Sequence, residues 1–225
     1  MQDISREAQL ETALLAADES ALAAGFAWHR DRLFSVLRFR IDRRLALRVD
    51  AEDLLQEAYL RAVKRLSYFA SDHASHSQNG VFLWLRRIVL QTLWDAHRQH
   101  LGAKKRDVRL EVGLDGNGSP VATSVSIAQG FAAGLTSPSQ AAVREETYQQ
   151  LHTAITQMSE LDQEVIALRH FEELSNREVA QIVGIEEKAA SIRYVRAIQR
   201  LRNLLANLSD FTELQTLTKV FDSKS

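Results

Sequence analysis

The stretch 161–205 constrains the fold most, because it predicts two consecutive helices joined by a tight turn. Ser175, followed three residues later by Glu178, is a capping-box pattern and predicts the start of a helix. That helix should end at Gly184, since glycine readily adopts the left-handed conformation that terminates helices. A longer, basic helix should begin at 186–187. A short helix, a glycine turn and a longer basic helix are typical of a protein that reads the DNA major groove.

The second of these helices is predicted to have two faces when its residues are projected at about 100° each. The inward, apolar face comprises Ala190, Tyr194, Ala197, Ile198, Leu201, Leu204 and Leu205. The outward face comprises Lys188, Ala189, Ile192, Arg196, Gln199 and Arg200, with Arg193 on its flank. Ile192 is unusual among these cations, but in a groove it can contact a thymine methyl group. A solvated basic helix with one stray isoleucine is the alternative, and the capped turn in front of it favours DNA binding.

Composition is typical of a helical globular protein. Of the 225 residues, 45% are hydrophobic and 25% charged, as in ordinary soluble domains. Only two prolines and nine glycines are present, and long strand-like alternations are absent, which favours an all-α fold. The absence of cysteine excludes disulfides, thiolate metal sites and cysteine catalysis. The N-terminal residues are too polar for a signal peptide and no apolar run reaches membrane length, so we expect a cytoplasmic protein.

The chain is expected to form two small helical domains joined by a flexible linker. Residues 113–139 hold five of the nine glycines, both prolines and no basic residue, a composition typical of linkers. We therefore place the domains at 1–111 and 140–208, with a linker at 112–139 and a tail at 209–225. Within the linker, VATSVSIAQGFAAGL is mildly apolar and is a candidate to dock or to become ordered on binding. The net charge is only −1, but acidic and basic segments are segregated along the chain, which favours two different partners.

An acidic helix is predicted to follow Asp50, whose side chain can cap its first turn. One face of this helix carries Asp53, Gln56, Glu57 and Leu60 at helical spacing. Two carboxylates, an amide and a leucine therefore share one exposed strip, which on its own is explained by a solvated helix. Paired carboxylates also suit acid–base catalysis, but no glycine-rich loop or nucleophile accompanies them.

Residues 81–109 combine aromatic and basic side chains on a predicted helix. The outward side chains are expected to include Arg86, Arg87, Gln91, Trp94, Asp95 and Arg98. Aromatic rings suit unpaired bases and arginines suit phosphates, so this helix is a candidate for contact with single-stranded DNA. Core tryptophans beside a solvated basic end are the alternative. Two histidine pairs, His73 with His76 and His97 with His100, lack a third ligand, so no metal site is expected.

Three stretches of the chain resemble, in the same order, the extracytoplasmic-function group of bacterial RNA polymerase sigma factors. These stretches are DAEDLLQEA at 50–58, WLRRI at 84–88 with Asp95 and Arg98, and LDQEVIALR at 161–169 with the helix-turn-helix through Ala197. The resemblance covers about residues 15–205 and is specific, because three unrelated motifs occur in order with a linker between them. The sequence GAKKRDVRLEV, followed by the linker and SPS, also resembles a subgroup abundant in planctomycetes.

The resemblance implies a promoter-specificity subunit. Residues 1–111 then correspond to sigma region 2, which docks on core polymerase and reads and melts the −10 promoter element. Residues 140–208 correspond to sigma region 4, which reads the −35 element. The core-binding residues carried over are Asp50, Asp53, Gln56, Glu57 and Leu60. Those for the −10 region are Ser71, Asn79, Trp84, Arg87, Gln91, Trp94, Asp95 and Arg98. Those for the −35 element are Lys188, Ala189, Ile192, Arg193, Arg196 and Arg200.

The partners that the resemblance implies are core RNA polymerase, through the clamp helices of its large subunit, promoter DNA and an anti-sigma factor. The chain departs from the family pattern with Gln91 in place of asparagine, Glu186 in place of a serine or threonine cap, and Ala190 in place of valine. A stand-alone helix-turn-helix regulator is the alternative, but it needs neither the acidic strip nor the segment 84–98. No phosphate loop, nucleophile elbow or dinucleotide fingerprint occurs, so we expect no enzymatic activity and no cofactor.

Overall fold

The computed structural model describes residues 2–70, 80–101, 123–135 and 141–207. These residues form helices and turns without any strand, which confirms the all-helical prediction. None of the helices in this part of the chain combines the length and the apolar character that a bilayer crossing requires. The chain divides into two compact units, whose boundary lies between Pro120 and Val121.

Five helices of the first unit, four of them long, lie within the described residues. They are α1 (Gln2–Leu15), α2 (Glu19–Arg40), α3 (Arg43–Ala46), α4 (Ala51–Arg65) and α5 (Val81–Leu101), with a 3₁₀ turn at Leu66–Tyr68. Helices α2, α4 and α5 pack on one another. Each of the three contributes fully buried apolar side chains to the core, such as Leu33, Ala58 and Leu85. Asp18, Asp42 and Asp50 cap α2, α3 and α4, as the sequence predicts for Asp50.

Helix α1 is fastened to the first unit through Glu7. Its carboxylate lies 3.1 Å from Nε2 of the buried His29 on α2 and accepts a 3.4 Å hydrogen bond from the backbone N–H of Phe82, in the first turn of α5. Burial alone would raise the pKa of Glu7, but the hydrogen bond and charge of His29 and the N–H groups of Phe82 and Val81 outweigh it and lower that pKa below 4.5. One carboxylate therefore links three helices and serves as a cap for α5.

In the part of the second unit that the structure describes, there are also five helices. They are α6 (Ser124–Leu135), α7 (Ala141–Thr156), α8 (Glu160–Ile166), α9 (Asn176–Val183) and α10 (Glu187–Ala206). Helix α8 continues directly into a π-helical turn at Ala167–Phe171. Helix α10 packs on α7, α8 and α9, so the longest helix of the unit is braced by three others.

Helix α6 lies within the segment predicted to be a linker, 112–139, and the structure differs from the prediction here. The helix packs closely on α7 and buries Ile127, Ala128, Phe131 and Ala132. The Phe131 ring centroid lies 4.8 Å from those of His170 and Phe171. These four apolar residues have the helical spacing of a core-facing stripe and lie in the mildly apolar stretch VATSVSIAQGFAAGL of the segment.

Two glycines of α6 provide a matched pair that tests its docking. A Cβ atom at Gly130 would lie 2.5 Å from Cε1 of Phe171, whereas a Cβ at Gly134 meets nothing within 4 Å. We expect Gly134→Ala to stabilise the fold by roughly 0.5–1 kcal/mol through helix propensity. Gly130→Ala should instead destabilise it by about 1–2 kcal/mol, because overpacking exceeds that gain.

Thermal or urea denaturation of the full chain measures the free energy of unfolding of both variants of α6. Equal stabilisation by the two alanines would mean that α6 does not pack on Phe171 in solution.

Candidate nucleic-acid interface

The helix-turn-helix is formed by α9 and α10, with the predicted signals at each end of α9. The backbone N–H of Ser175 donates to Glu178 at 2.7 Å, and the N–H of Glu178 donates to the Ser175 hydroxyl at 3.2 Å, which completes the capping box. Gly184 ends the helix with φ of 71° in the left-handed region. Glu186 precedes α10 without a side-chain cap, as expected of a side chain too long for that role.

Arg169, in the π-helical turn, positions the start of the helix-turn-helix. It donates a hydrogen bond to the carbonyl oxygen of Leu174, directly before the capping box. Its guanidinium also lies 5.4 Å from the ring centroid of Tyr194, a buried residue on α10. Burial raises the pKa of the Tyr194 hydroxyl, against the opposing charges of Arg169 and Arg202. Arg169 thus contacts both the segment before the helix-turn-helix and α10, the predicted recognition helix.

The two predicted faces of α10 are confirmed by burial. The buried residues are Ala190, Tyr194, Ala197, Ile198, Leu201 and Leu205, and Leu204 is half-buried. Lys188, Ala189, Ile192, Arg196, Gln199 and Arg200 are exposed, and Arg193 is half-buried. Ile192 is 42% exposed and therefore faces outward as predicted. Val195, one turn further on, is 59% exposed, a second outward apolar side chain that the sequence analysis did not single out.

A buried carboxylate lies behind this outward face and was missed in the sequence. Asp162, on α8, is 4% exposed. Its two oxygens accept hydrogen bonds from Arg193 at 2.8 Å and from Arg200 at 2.5 Å. Asp162 lines a shallow groove on the unit together with Ala189, Ile192, Arg193, Arg196 and Arg200. Two of the three arginines on this face, Arg193 and Arg200, are therefore already paired within the protein.

The acidic strip of the first unit is exposed along α4. Asp50 caps the helix by accepting from the N–H of Glu52 at 2.8 Å. The strip residues that follow, Asp53, Gln56, Glu57 and Leu60, are all exposed, with Leu60 at 54%. Glu57 accepts from Arg61 at 2.7 Å, and the same guanidinium donates to Asp95 of α5 at 2.5 Å. Burial of Arg61 opposes its charge, but Asp95 and Glu57 together raise the pKa of this arginine above its usual value.

A groove between α4 and α5 gathers several residues predicted for the −10 region. It is lined by Arg61, Lys64, Arg65, Ile88, Gln91, Trp94 and Asp95. The side-chain oxygen of Gln91 accepts from Arg65 at 2.5 Å, and the half-exposed Trp94 ring stacks on His97 at 5.9 Å between centroids. Arg98 is exposed and Arg87 is half-buried. The groove therefore combines an aromatic ring with several cations.

Trp84 requires a correction. Its side chain is 5% exposed and packs edge-on against the buried Phe69, with ring centroids 5.0 Å apart. A tryptophan enclosed in this way has no face available to a base, so its role in this arrangement is packing. Arg86 is also 5% exposed, although it was expected at the surface. Ser71 and Asn79 lie outside the described residues.

No cluster of three or more His, Asp or Glu side chains suited to a metal occurs within the described ranges. His97 and His100 are both described, and burial lowers the pKa of His97 against the charge of Asp42. His73 and His76 fall outside the described residues.

Comparison with known proteins places the helix-turn-helix in a family. Residues 148–201 match the model for sigma-70, region 4. The RNA polymerase sigma-H factor of Pseudomonas aeruginosa is 27% identical over 164 residues, covering 71% of this chain and 75% of that protein. The ECF RNA polymerase sigma factor SigW of Bacillus subtilis (strain 168) is 27% identical over 159 residues, covering 71% and 77% respectively.

A solved structure of CnrH in complex with the cytosolic domain of CnrY has a TM-score of 0.47 and 21% identity to this chain. The alignment covers 90% of this chain and 98% of CnrH.

Residues 148–201 thus form a helix-turn-helix domain of the sigma-70 region 4 type, built around the capped turn and α10. Together with the similarity of 71% of the chain to two RNA polymerase sigma factors, one of them an ECF sigma factor, this supports a sigma factor that directs transcription initiation.

Proposed function

We propose that this sigma factor binds core RNA polymerase through the first unit and reads the −10 and −35 promoter elements with the first and second units respectively. The observation that carries the proposal is the exposed strip on α4, where Asp53 and Glu57 lie beside an exposed leucine at 60. A protein partner explains such a strip, because it combines charge for orientation with apolar area for affinity. A regulator that bound only DNA would have no use for it.

The partner of the acidic strip is proposed to be the clamp helices of the large polymerase subunit, as the family resemblance implies. Asp50, Asp53, Gln56, Glu57 and Leu60 form the contact surface. Glu57 and Asp95 share Arg61, so the docking strip and the DNA-facing groove are joined by one guanidinium. Polymerase bound at the strip would therefore contact residues that are linked through Arg61 to the proposed −10 site.

The groove between α4 and α5 is proposed to hold the non-duplex part of the −10 region. Trp94 offers a ring on which a base can stack, and the neighbouring cations Lys64 and Arg65 offer charge for phosphates. Arg87, Gln91, Asp95 and Arg98 remain proposed contacts, whereas Trp84 is assigned to the core. Ser71 and Asn79 remain a proposal from the resemblance, for capture of an unstacked base.

The recognition helix is proposed to read the −35 element. Lys188, Ala189 and Ile192 lie in the N-terminal half of α10, where helix-turn-helix proteins contact base edges. Arg193, Arg196 and Arg200 are proposed to contact phosphates. Two readers held at a fixed spacing by polymerase gain affinity through effective concentration, so neither needs to bind tightly alone.

An anti-sigma factor is a further partner that we propose from the family resemblance. The resemblance to a planctomycete subgroup is not supported by the relatives found, which come from Pseudomonas and Bacillus. The sequence that suggested it, GAKKRDVRLEV, lies outside the described residues.

Reconstitution with core polymerase tests the proposed function. The full chain is mixed with core enzyme and genomic DNA, and transcript 5′ ends are sequenced. We expect starts at a limited set of sites that share two upstream elements, and no tight sequence-specific binding by the chain alone. Transcript starts identical to those of core enzyme without the chain would overturn the proposal.

A further inference from the structure

Arg193 and Arg200 of α10 converge on one buried carboxylate although they lie seven residues, or about two helical turns, apart. Asp162 holds one guanidinium on each of its oxygens, and its own side chain is 6% exposed. The arginine side chains are 39% and 54% exposed, so both remain accessible from solvent while they pair with Asp162. The arrangement presents two oriented cations at the surface of the recognition helix.

A carboxylate and a phosphate pair with guanidinium by the same geometry and charge. Asp162 therefore pairs, within the protein, with the same guanidinium groups that a DNA phosphate would bind. Each arginine carries five N–H donors, and the bond to Asp162 uses one of its terminal nitrogens. The remaining donors can reach a phosphate while the side chain stays fixed.

We propose that Asp162 is a positioning residue that sets the specificity of promoter reading by the second unit. It holds Arg193 and Arg200 at the spacing of the phosphates that they contact when the domain is bound to its specific site. It also neutralises part of their positive charge, which weakens binding to DNA in any other register. The inference rests on the proposed function of α10 as the −35 reader.

The physical consequence is a pair of opposite effects on DNA binding. Without the carboxylate the two guanidinium groups repel each other and sample many orientations, so ordering them on the correct site costs more entropy. At the same time one more unit of positive charge is available to any phosphate, which strengthens non-specific, salt-dependent binding. Loss of Asp162 therefore lowers specific reading while raising non-specific affinity.

The variant Asp162→Asn removes the charge and turns one acceptor into a donor that faces an arginine. Glu160→Gln is the matched control, because Glu160 is an exposed carboxylate in the same first turn of α8. Arg200→Lys conserves charge but lacks the planar fork of arginine, so it tests orientation apart from charge. Circular dichroism melting of each full-length variant shows that the fold is retained.

Two readouts are needed. The first is binding of the full chain to a random-sequence duplex, measured by fluorescence anisotropy over a salt series. The second is transcription by the reconstituted holoenzyme from a mapped promoter with an intact or a scrambled −35 element. We expect Asp162→Asn to bind the random duplex about threefold to tenfold more tightly, with a steeper salt dependence. The ratio of intact to scrambled transcription should fall at least about threefold in the same variant.

The controls separate the outcomes. Glu160→Gln should change either readout by less than about twofold, since an exposed charge is screened by salt. Arg200→Lys should lower the transcription ratio about threefold without tightening random-duplex binding, and this variant decides the question if Asp162→Asn does not fold. An unchanged ratio in folded Asp162→Asn, or a joint fall of both readouts, overturns the inference. Arg196→Ala distinguishes two explanations of such a result. If this variant also leaves the ratio of intact to scrambled transcription unchanged, the assignment of α10 to the −35 element is wrong. If Arg196→Ala lowers that ratio, only the proposed role of Asp162 is wrong.

Discussion

The double variant Asp53→Lys/Glu57→Lys is expected to lose core polymerase while keeping its fold. Both side chains are exposed on α4, and the variant replaces two negative charges with two positive ones. Like charges placed across an interface cost several kcal/mol, so we expect affinity to fall at least about a hundredfold. Co-purification of the tagged chain with core enzyme, quantified by titration, measures the loss.

The control for this variant is the double charge reversal Glu19→Lys/Asp31→Lys on α2, where both carboxylates are exposed. Glu57 also pairs with Arg61, so the double variant disturbs the link to Asp95. Asp53→Lys alone leaves that link intact and should still weaken binding about tenfold. Wild-type polymerase affinity in the folded double variant would rule out α4 as the docking surface.

Arg196→Ala is expected to remove most of the stimulation that the −35 element gives to transcription. Arg196 is exposed beside Ile192 and, unlike Arg193 and Arg200, has no ion-pair partner among the described residues. A charged contact to DNA contributes about 1–3 kcal/mol, so we expect roughly a tenfold fall in output from promoters with an intact −35 element. Promoters with a scrambled element should change little.

The pattern of loss in Arg196→Ala identifies the kind of contact. A uniform loss across element sequences, with a salt slope lower by about one, indicates a phosphate, and relaxed sequence preference indicates a base. Arg43→Ala removes the same charge from an exposed position in the first unit and serves as the control. Unchanged transcription in the Arg196 variant contradicts the proposed orientation of α10 on DNA.

Local signals explain why the helix-turn-helix could be predicted from the sequence. The capping box at Ser175 and the left-handed glycine at 184 act within a few residues, and both occur as predicted. The inward and outward faces of α10 follow from helical periodicity alone, including the outward Ile192. Such features depend little on which other segments pack nearby.

Asp162 could not be predicted in this way, because its bonds cross 31 and 38 positions of sequence. Near the start of α8 an acidic residue is favoured by the helix dipole, which hides its second role. Burial of this side chain depends on how α10 packs across α8. The available signal in the sequence was a pair of arginines seven residues apart on α10. Their positive charge suggested contacts to DNA and gave no indication of a buried carboxylate partner.

The errors on α5 and α6 have a common cause. Helical periodicity predicts one buried and one solvent-exposed face, but α5 is buried on all sides through its first six residues, from Val81 to Arg86. Arg86 was therefore assigned to a surface that does not exist there, and Trp84, carried over from the family resemblance, is enclosed in the same stretch. In α6 the opposite occurred, since composition suggested a linker although Ile127 and Phe131 have core spacing. Composition and periodicity each fail where tertiary packing decides.

The carboxylate of Glu7 couples two conformational equilibria, the docking of α1 and the ordering of the first turn of α5. When α1 lifts away, the N–H of Phe82 loses its acceptor, and anything that holds that turn in place favours the docked α1 by the same free energy. The amide hydrogen of Phe82 is accordingly a built-in probe. Its exchange rate with solvent reports how often a helix 75 positions earlier in the sequence leaves the domain.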